Sequence, residues 1–78
     1  GTNGISTKFG YSTPDTDEAF LKSAAIDRSF VSYVVADSSK FGKVSTVSFG
    51  TLNSSAIITE YLPDPRYLEQ TVIKVVGE

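Results

Sequence analysis

The chain contains no cysteine and no histidine. Their absence removes disulfides, thiol nucleophiles, Ser-His-Asp catalysis and the usual zinc ligands together. Carboxylates, lysines, tyrosines and hydroxyls are left for chemistry. A chain without cysteine suits a reducing cytoplasm. A basic excess is missing too: 7 basic residues stand against 9 acidic ones, for a formal net charge of −2. Nucleic-acid-binding domains draw most of their affinity from cationic contacts to phosphate, so DNA binding by these residues themselves is not expected. No apolar stretch approaches the roughly 18 residues of a membrane-spanning helix, and no signal-peptide pattern opens the sequence. The expectation is a cytoplasmic protein without membrane contact. No internal repeat or low-complexity tract is visible.

What is present is the composition of a folded domain. With 78 residues, 40% hydrophobic and 21% charged, the chain is one domain at most and buries a modest core. Residues 1–12 are rich in Gly, Thr, Ser and Asn, and Gly1-Thr2-Asn3-Gly4-Ile5-Ser6 reads as the exit from a strand. Asp15 with Glu18 three residues later makes a capping box, and the acids suit the positive end of a helix dipole. Phe20 and Ala24, then Leu21, Ala25 and Arg28, follow at i,i+4 spacing, which predicts a helix from about Thr16 to Arg28. Ala24-Ala25 offers it a small face for packing on a sheet.

The β-branched and aromatic run Phe30-Val31-Ser32-Tyr33-Val34-Val35 predicts a buried strand, over about residues 31–36. Val44–Phe49 alternates imperfectly and predicts another. Ala56-Ile57-Ile58-Thr59 reads as a short buried parallel strand. Asp64 before Pro65 resembles an N-cap and first helical position, giving a short helix to about Gln70. Thr71–Val76 is the last predicted strand. The sum is an α/β fold: an open, mostly parallel sheet of at least three strands with flanking helices. Such a sheet needs cover on both faces, and the opening residues suggest that the covering half lies upstream.

The most informative block is Ala36-Asp37-Ser38-Ser39-Lys40-Phe41-Gly42. In open α/β sheets ligands bind at the carboxyl ends of strands, which is where this block falls. Asp and Ser there also make an ordinary turn, because their side chains bond their own backbone. The functional alternative is that Lys40 offers a point charge to a phosphate or carboxylate, with Ser38 and Ser39 as neutral donors. Lys22, one turn beyond Glu18, makes either an i,i+4 surface pair or a second cation facing Lys40. Asn3-Gly4 is either a hairpin signal or a tight turn that admits a ligand close to the backbone. Asp15, Asp17 and Glu18 lack calcium-loop spacing and are explained by helix capping, so no metal and no cofactor is expected. Tyr33, Tyr61 and Tyr67 read as core or rim aromatics.

Asn3-Gly4-Ile5-Ser6, Gly10-Tyr11-Ser12-Thr13-Pro14, Asp17-Glu18-Ala19, Lys22 and the block at 36–42 occur in that order, and Ile57-Ile58-Thr59 closes the series. Together they resemble the carboxy-terminal sensor domain of the DeoR family of bacterial sugar-metabolism repressors, over about residues 1–60. The resemblance implies a ribose-5-phosphate-isomerase-like sensor fold, similar also to glucosamine-6-phosphate deaminase. It implies a non-enzymatic regulator that binds a phosphorylated sugar and then releases operator DNA. Operator binding would belong to an amino-terminal winged helix-turn-helix outside this chain, with residues 1–78 the C-terminal portion of the sensing domain and its first part also outside. By that similarity Lys40 is the first effector contact, with Asn3, Lys22, Glu18 and Ser39 beside it. Two residues depart from the family pattern: Asn3 replaces an Asp, and Glu60 replaces the Asp of Ile-Thr-Asp.

The shared sheet and lysine turn leave a sugar-phosphate isomerase-like enzyme as the alternative. Against it, Lys22 stands at the helix position that would suit the base, where the reaction needs a positioned proton acceptor. Fructose 1-phosphate, tagatose phosphates, galactitol phosphate and glycerol 3-phosphate would offer Lys40 the same dianion. A homo-oligomer is expected, since a truncated sheet exposes edges and apolar surface.

Overall fold

The computed structural model describes residues 1–77. These form β1 (Gly4–Ser6), β2 (Gly10–Thr13), α1 (Thr16–Asp27), β3 (Tyr33–Val35), β4 (Val47–Gly50), β5 (Ala56–Thr59) and β6 (Ile73–Val75). Short 3-10 turns occupy Ser38–Lys40, Leu52–Ser54 and Pro65–Glu69. The strands make two three-stranded sheets, β1-β2-β4 and β3-β5-β6.

The second sheet is parallel throughout, with Val34 opposite Ile57 and Ile57 opposite Ile73. Its Val34 and Ile57 are buried in the core with Ile5, Tyr11, Phe49, Leu52 and Tyr67. Asp64 caps the last 3-10 turn by accepting the Arg66 N–H at 2.9 Å, and Pro65 fills the first turn. The locked φ of proline suits that place, and its missing N–H costs nothing there. The expected helix at 65–70 is a 3-10 segment, Pro65–Glu69, with an α-type bond only beyond its end, from the Thr71 N–H to Tyr67 O at 3.2 Å.

The first sheet corrects the expectation of one mostly parallel sheet: β1 pairs with β2 and β2 with β4, both antiparallel. Gly4-Ile5-Ser6 is a paired strand, which hydrophobic patterning missed because hydroxyls share its burial. Thr2 Oγ1 donates to Gly4 O and Ser12 O, each at 2.9 Å, and Ser12 Oγ accepts the Ser45 N–H at 2.8 Å. Hydrogen-bonded hydroxyls can be buried at little cost, so a strand of Gly and Ser can be a core strand. Ser6 Oγ closes the hairpin by accepting the N–H groups of Lys8 and Phe9 at 3.1 and 3.2 Å. Gly10 follows at φ 74°, where a Cβ would lie 2.1 Å from Gly50 O.

Helix α1 starts as its cap predicts, with Asp15 Oδ1 accepting the Glu18 N–H at 3.1 Å. It packs on β2 and β4 through Ala19, while Phe20 and Leu21 face outward and Ala25 is exposed. Of the expected Ala24-Ala25 face, Ala24 is half-buried and only Ala25 is turned outward. Tyr67 is a core residue, whereas Tyr33 and Tyr61 are exposed. A parallel bridge between Ile5 and Phe41 joins β1 to the chain leaving β3.

Candidate functional site

Strand β3 ends where a polar turn begins. Ala36 extends the parallel ladder by one bond, its N–H reaching Ile58 O at 3.0 Å. Asp37 then caps the Ser38–Lys40 turn, accepting the Ser39 N–H at 3.0 Å and the Ser39 hydroxyl as well. The Lys40 N–H returns to Asp37 O at 3.1 Å. The Ser39 hydroxyl, then its backbone N–H, hold the Asp37 carboxyl below the usual carboxylate range. Among the described residues, Lys40 Nζ has no hydrogen-bond or ion-pair partner.

Glu60, at the end of β5, approaches the same turn from the neighbouring strand. Its Oε1 accepts the Ser38 N–H at 2.8 Å and its Oε2 accepts the Ser38 hydroxyl at 2.7 Å. The buried Thr59 hydroxyl donates to Oε1 at 3.0 Å. These bonds, the Ser38 hydroxyl foremost, hold Glu60 below its ordinary range.

The far side of the turn is clamped by Tyr67. Its hydroxyl donates to Ile5 O at 3.2 Å and accepts the Gly42 N–H at 3.1 Å. Its ring meets Phe41 edge-on, with centroids 4.8 Å apart. Gly42, at φ 82°, turns the chain so that Lys43 O lies over Gly4, where a Cβ would come within 2.4 Å. Asn3 precedes this contact and bonds Ser12 O through its own N–H at 3.0 Å, leaving its side chain exposed. The bridge from Ile5 to Phe41 and the contact of Gly4 with Lys43 bring the chain beyond the turn against β1.

Glu18 and Lys22 form a second cluster. They pair at 2.7 Å, and Lys22 Nζ also donates to Gly1 O at 2.7 Å while standing 5.2 Å from the centre of the Phe49 ring. The i,i+4 pair is therefore formed, and no hydrogen bond among the described residues joins α1 to the Lys40 turn. Beside Lys22, a cleft of about 170 Å³ is lined by Gly1, Ile26, Tyr33 and Phe49 among others. The described residues contain no group of three or more acidic side chains placed to hold a metal.

Patterning singled out neither Glu60 nor Tyr67 as part of this region. Glu60 was legible in principle: an acid directly follows Thr59 at the end of a predicted strand, beside another strand that ends in Asp37. Tyr67 carried no such signal, because its partners are backbone atoms more than twenty residues away.

Two curated proteins align with this chain. One is an uncharacterized HTH-type transcriptional regulator, FruR, of Bacillus subtilis (strain 168), 48% identical over 79 aligned positions that cover 97% of this chain and 32% of the relative. The other is the HTH-type transcriptional regulator GlpR of Haloferax volcanii, 38% identical over 52 positions covering 67% of this chain and 20% of the relative. The chain therefore spans a third or less of the length of the curated relatives it matches. The family model of the DeoR C-terminal sensor domain matches residues 1–61. On that match and on the Bacillus relative, this chain belongs to the DeoR C-terminal sensor domain family.

Proposed function

We propose that residues 1–78 are the C-terminal portion of the effector-sensing domain of a bacterial repressor of carbohydrate metabolism. A phosphorylated sugar is its effector, and effector binding releases operator DNA held by a winged helix-turn-helix elsewhere in the full-length protein. The observation that carries this reading is the polar turn at the carboxyl end of β3, which presents Lys40 with no partner among the described residues. A lysine is a compact point charge, suited to a phosphate dianion. The family and the regulator relatives support the same reading.

In this reading Lys40 takes the phosphate, and Ser39 and Asn3 supply further polar contacts. Asn3 supplies an amide, able to donate and accept, to sugar hydroxyls. Lys22 and Glu18 form the flank on α1, linked to Asn3 through the segment that Lys22 grips at Gly1. The parallel sheet and its lysine turn favour a ribose-5-phosphate-isomerase-like sensor fold for the whole domain. The full-length protein works in the cytoplasm as a homo-oligomer.

Catalysis is not part of this reading. A general base works best with a pKa near the operating pH. The acids beside Lys40, Asp37 and Glu60, are instead held low by hydrogen bonds from Ser39 and Ser38. Measurable turnover of ribose 5-phosphate by the full-length protein overturns this point.

The test is a thermal-shift panel on full-length protein with fructose 1-phosphate, tagatose phosphates, galactitol phosphate and glycerol 3-phosphate. A ligand at about 100 times its Kd stabilises the folded state by about 2.7 kcal/mol. At least one sugar phosphate raises Tm while its unphosphorylated parent does not. A panel with no shift contradicts the proposal.

A further inference from the structure

We infer that Glu60 is a positioning residue for Lys40, a strut between two strand ends that fixes the turn on which the effector's phosphate is received. The inference rests on the reading of Lys40 as the effector contact. Its physical basis is the parallel register. Val35 lies opposite Ile58, so Asp37 and Glu60 both fall two residues beyond the last paired position. The backbone ladder stops with the Ala36 N–H on Ile58 O, because the chain turns at Asp37. The next N–H, that of Ser38, would project from the sheet without a backbone acceptor. Glu60 supplies one: its side chain extends the ladder a further step and takes the Ser38 hydroxyl with its second oxygen.

Three features make this a strut and not a loose surface contact. Both carboxylate oxygens are engaged by one residue, which fixes the direction of Ser38 as well as its distance. The Thr59 hydroxyl, on a buried residue, steers the carboxylate from below. The turn is pinned on its other side by Tyr67 through Gly42 and Ile5. Glu60 and Tyr67 thus hold opposite ends of the segment 38–42, and Lys40 lies between them. With both carboxylate oxygens committed to Ser38 and Thr59, Glu60 acts on the effector through the turn and not by touching it. A side chain one methylene shorter reaches Ser38 less well from the same backbone, so Glu60→Asp preserves the charge but weakens the hold.

The test uses the full-length protein carrying Glu60→Ala, Glu60→Asp, Ser38→Ala and the Ser38→Ala/Glu60→Ala pair. Without ligand, Glu60→Ala speeds amide exchange of Ser38 by about tenfold, the effect of losing a charge-assisted bond, while Val34 and Ile57 keep their protection. With fructose 1-phosphate as the probe, or whichever member of the panel binds wild type, Glu60→Ala raises Kd about fivefold with Tm unchanged within about 2 °C. Glu60→Asp falls between the two. Ser38→Ala weakens binding in the wild-type background and adds nothing to Glu60→Ala, because the two residues act as one contact. Additive losses would instead mean that Glu60 touches the effector itself, and unchanged exchange at Ser38 would mean that no strut exists; either result overturns the inference. Faster exchange with an unaltered Kd overturns it as well. If no probe binds wild type, the reading of Lys40 as effector contact fails and takes the positioning role with it, while the exchange result still reports whether the strut forms.

Discussion

Strands β1 and β2 are buried along their whole length, although they contain only two large side chains, Ile5 and Tyr11. Strands β3 and β6 are richer in β-branched residues, yet Tyr33, Val35 and Val75 are exposed. The antiparallel sheet is held by hydroxyls, close glycine contacts and backbone acceptors. The parallel sheet is held by the buried Val34 and Ile57 and carries polar groups at its strand ends. Burial here follows hydrogen-bond satisfaction as well as hydrophobicity at Thr2, Ser6 and Ser12, whereas the Thr13 hydroxyl is buried without a partner among the described residues. The carboxyl ends of the parallel strands carry the polar turn on which the proposed effector site rests.

The largest expected effect breaks the antiparallel sheet. Gly10→Ala puts a Cβ 2.1 Å from Gly50 O at a backbone φ of 74°. Strain and clash together cost about 3–4 kcal/mol, read as a fall in Tm. Gly42→Ala is the control beside the Ile5–Phe41 bridge: its φ is 82° but its surroundings are open, so the cost is about 1 kcal/mol. Equal losses at the two positions would remove close approach as the reason for Gly10.

Next comes Tyr11, whose hydroxyl reaches Leu52 O at 2.8 Å and Ser55 O at 3.0 Å. Tyr11→Phe costs about 1–2 kcal/mol, since buried carbonyls lose their donor. Burial pushes the Tyr11 phenol up to about 12. A raised folded pKa means that the stabilisation is whole below about pH 10 and is lost as pH rises toward 12. Chemical denaturation across that range shows the loss in wild type and a smaller one in Tyr11→Phe.

The smallest effect is acid-dependent and local. Asp37 and Glu60 have lowered folded pKa values, so their contribution is present above the ordinary carboxylate values near about 4 and is lost as pH falls through the folded ones. Amide exchange at Ser38 and Ser39, corrected for its intrinsic pH dependence, loses protection in acid before Ile5 or Ile57 does. Simultaneous loss everywhere would mean that the turn has no separate stability.

Helix α1 and the parallel sheet were readable in the sequence. Asp15, the strand at Ala56–Thr59, and Asp64 with Pro65 all appear where local chemistry puts them. Those signals are local: a cap, a β-branched run, a locked φ. The β1–β2 hairpin was hidden because Thr2, Ser6 and Ser12 look like loop residues until their partners are known. In the candidate site, the turn at 37–40 was legible from its own residues. The partners that hold it, Glu60 and Tyr67, come from 22 and 25 residues away and needed the fold.

The central claim is that Lys40 receives the phosphate of the effector. Its most direct test is titration of a sugar phosphate onto the full-length protein bound to its operator, in wild type and Lys40→Ala. Wild type should release the DNA as the effector rises, and Lys40→Ala should bind DNA as tightly but fail to release it. Release of the variant at the same effector concentration as wild type would contradict the account.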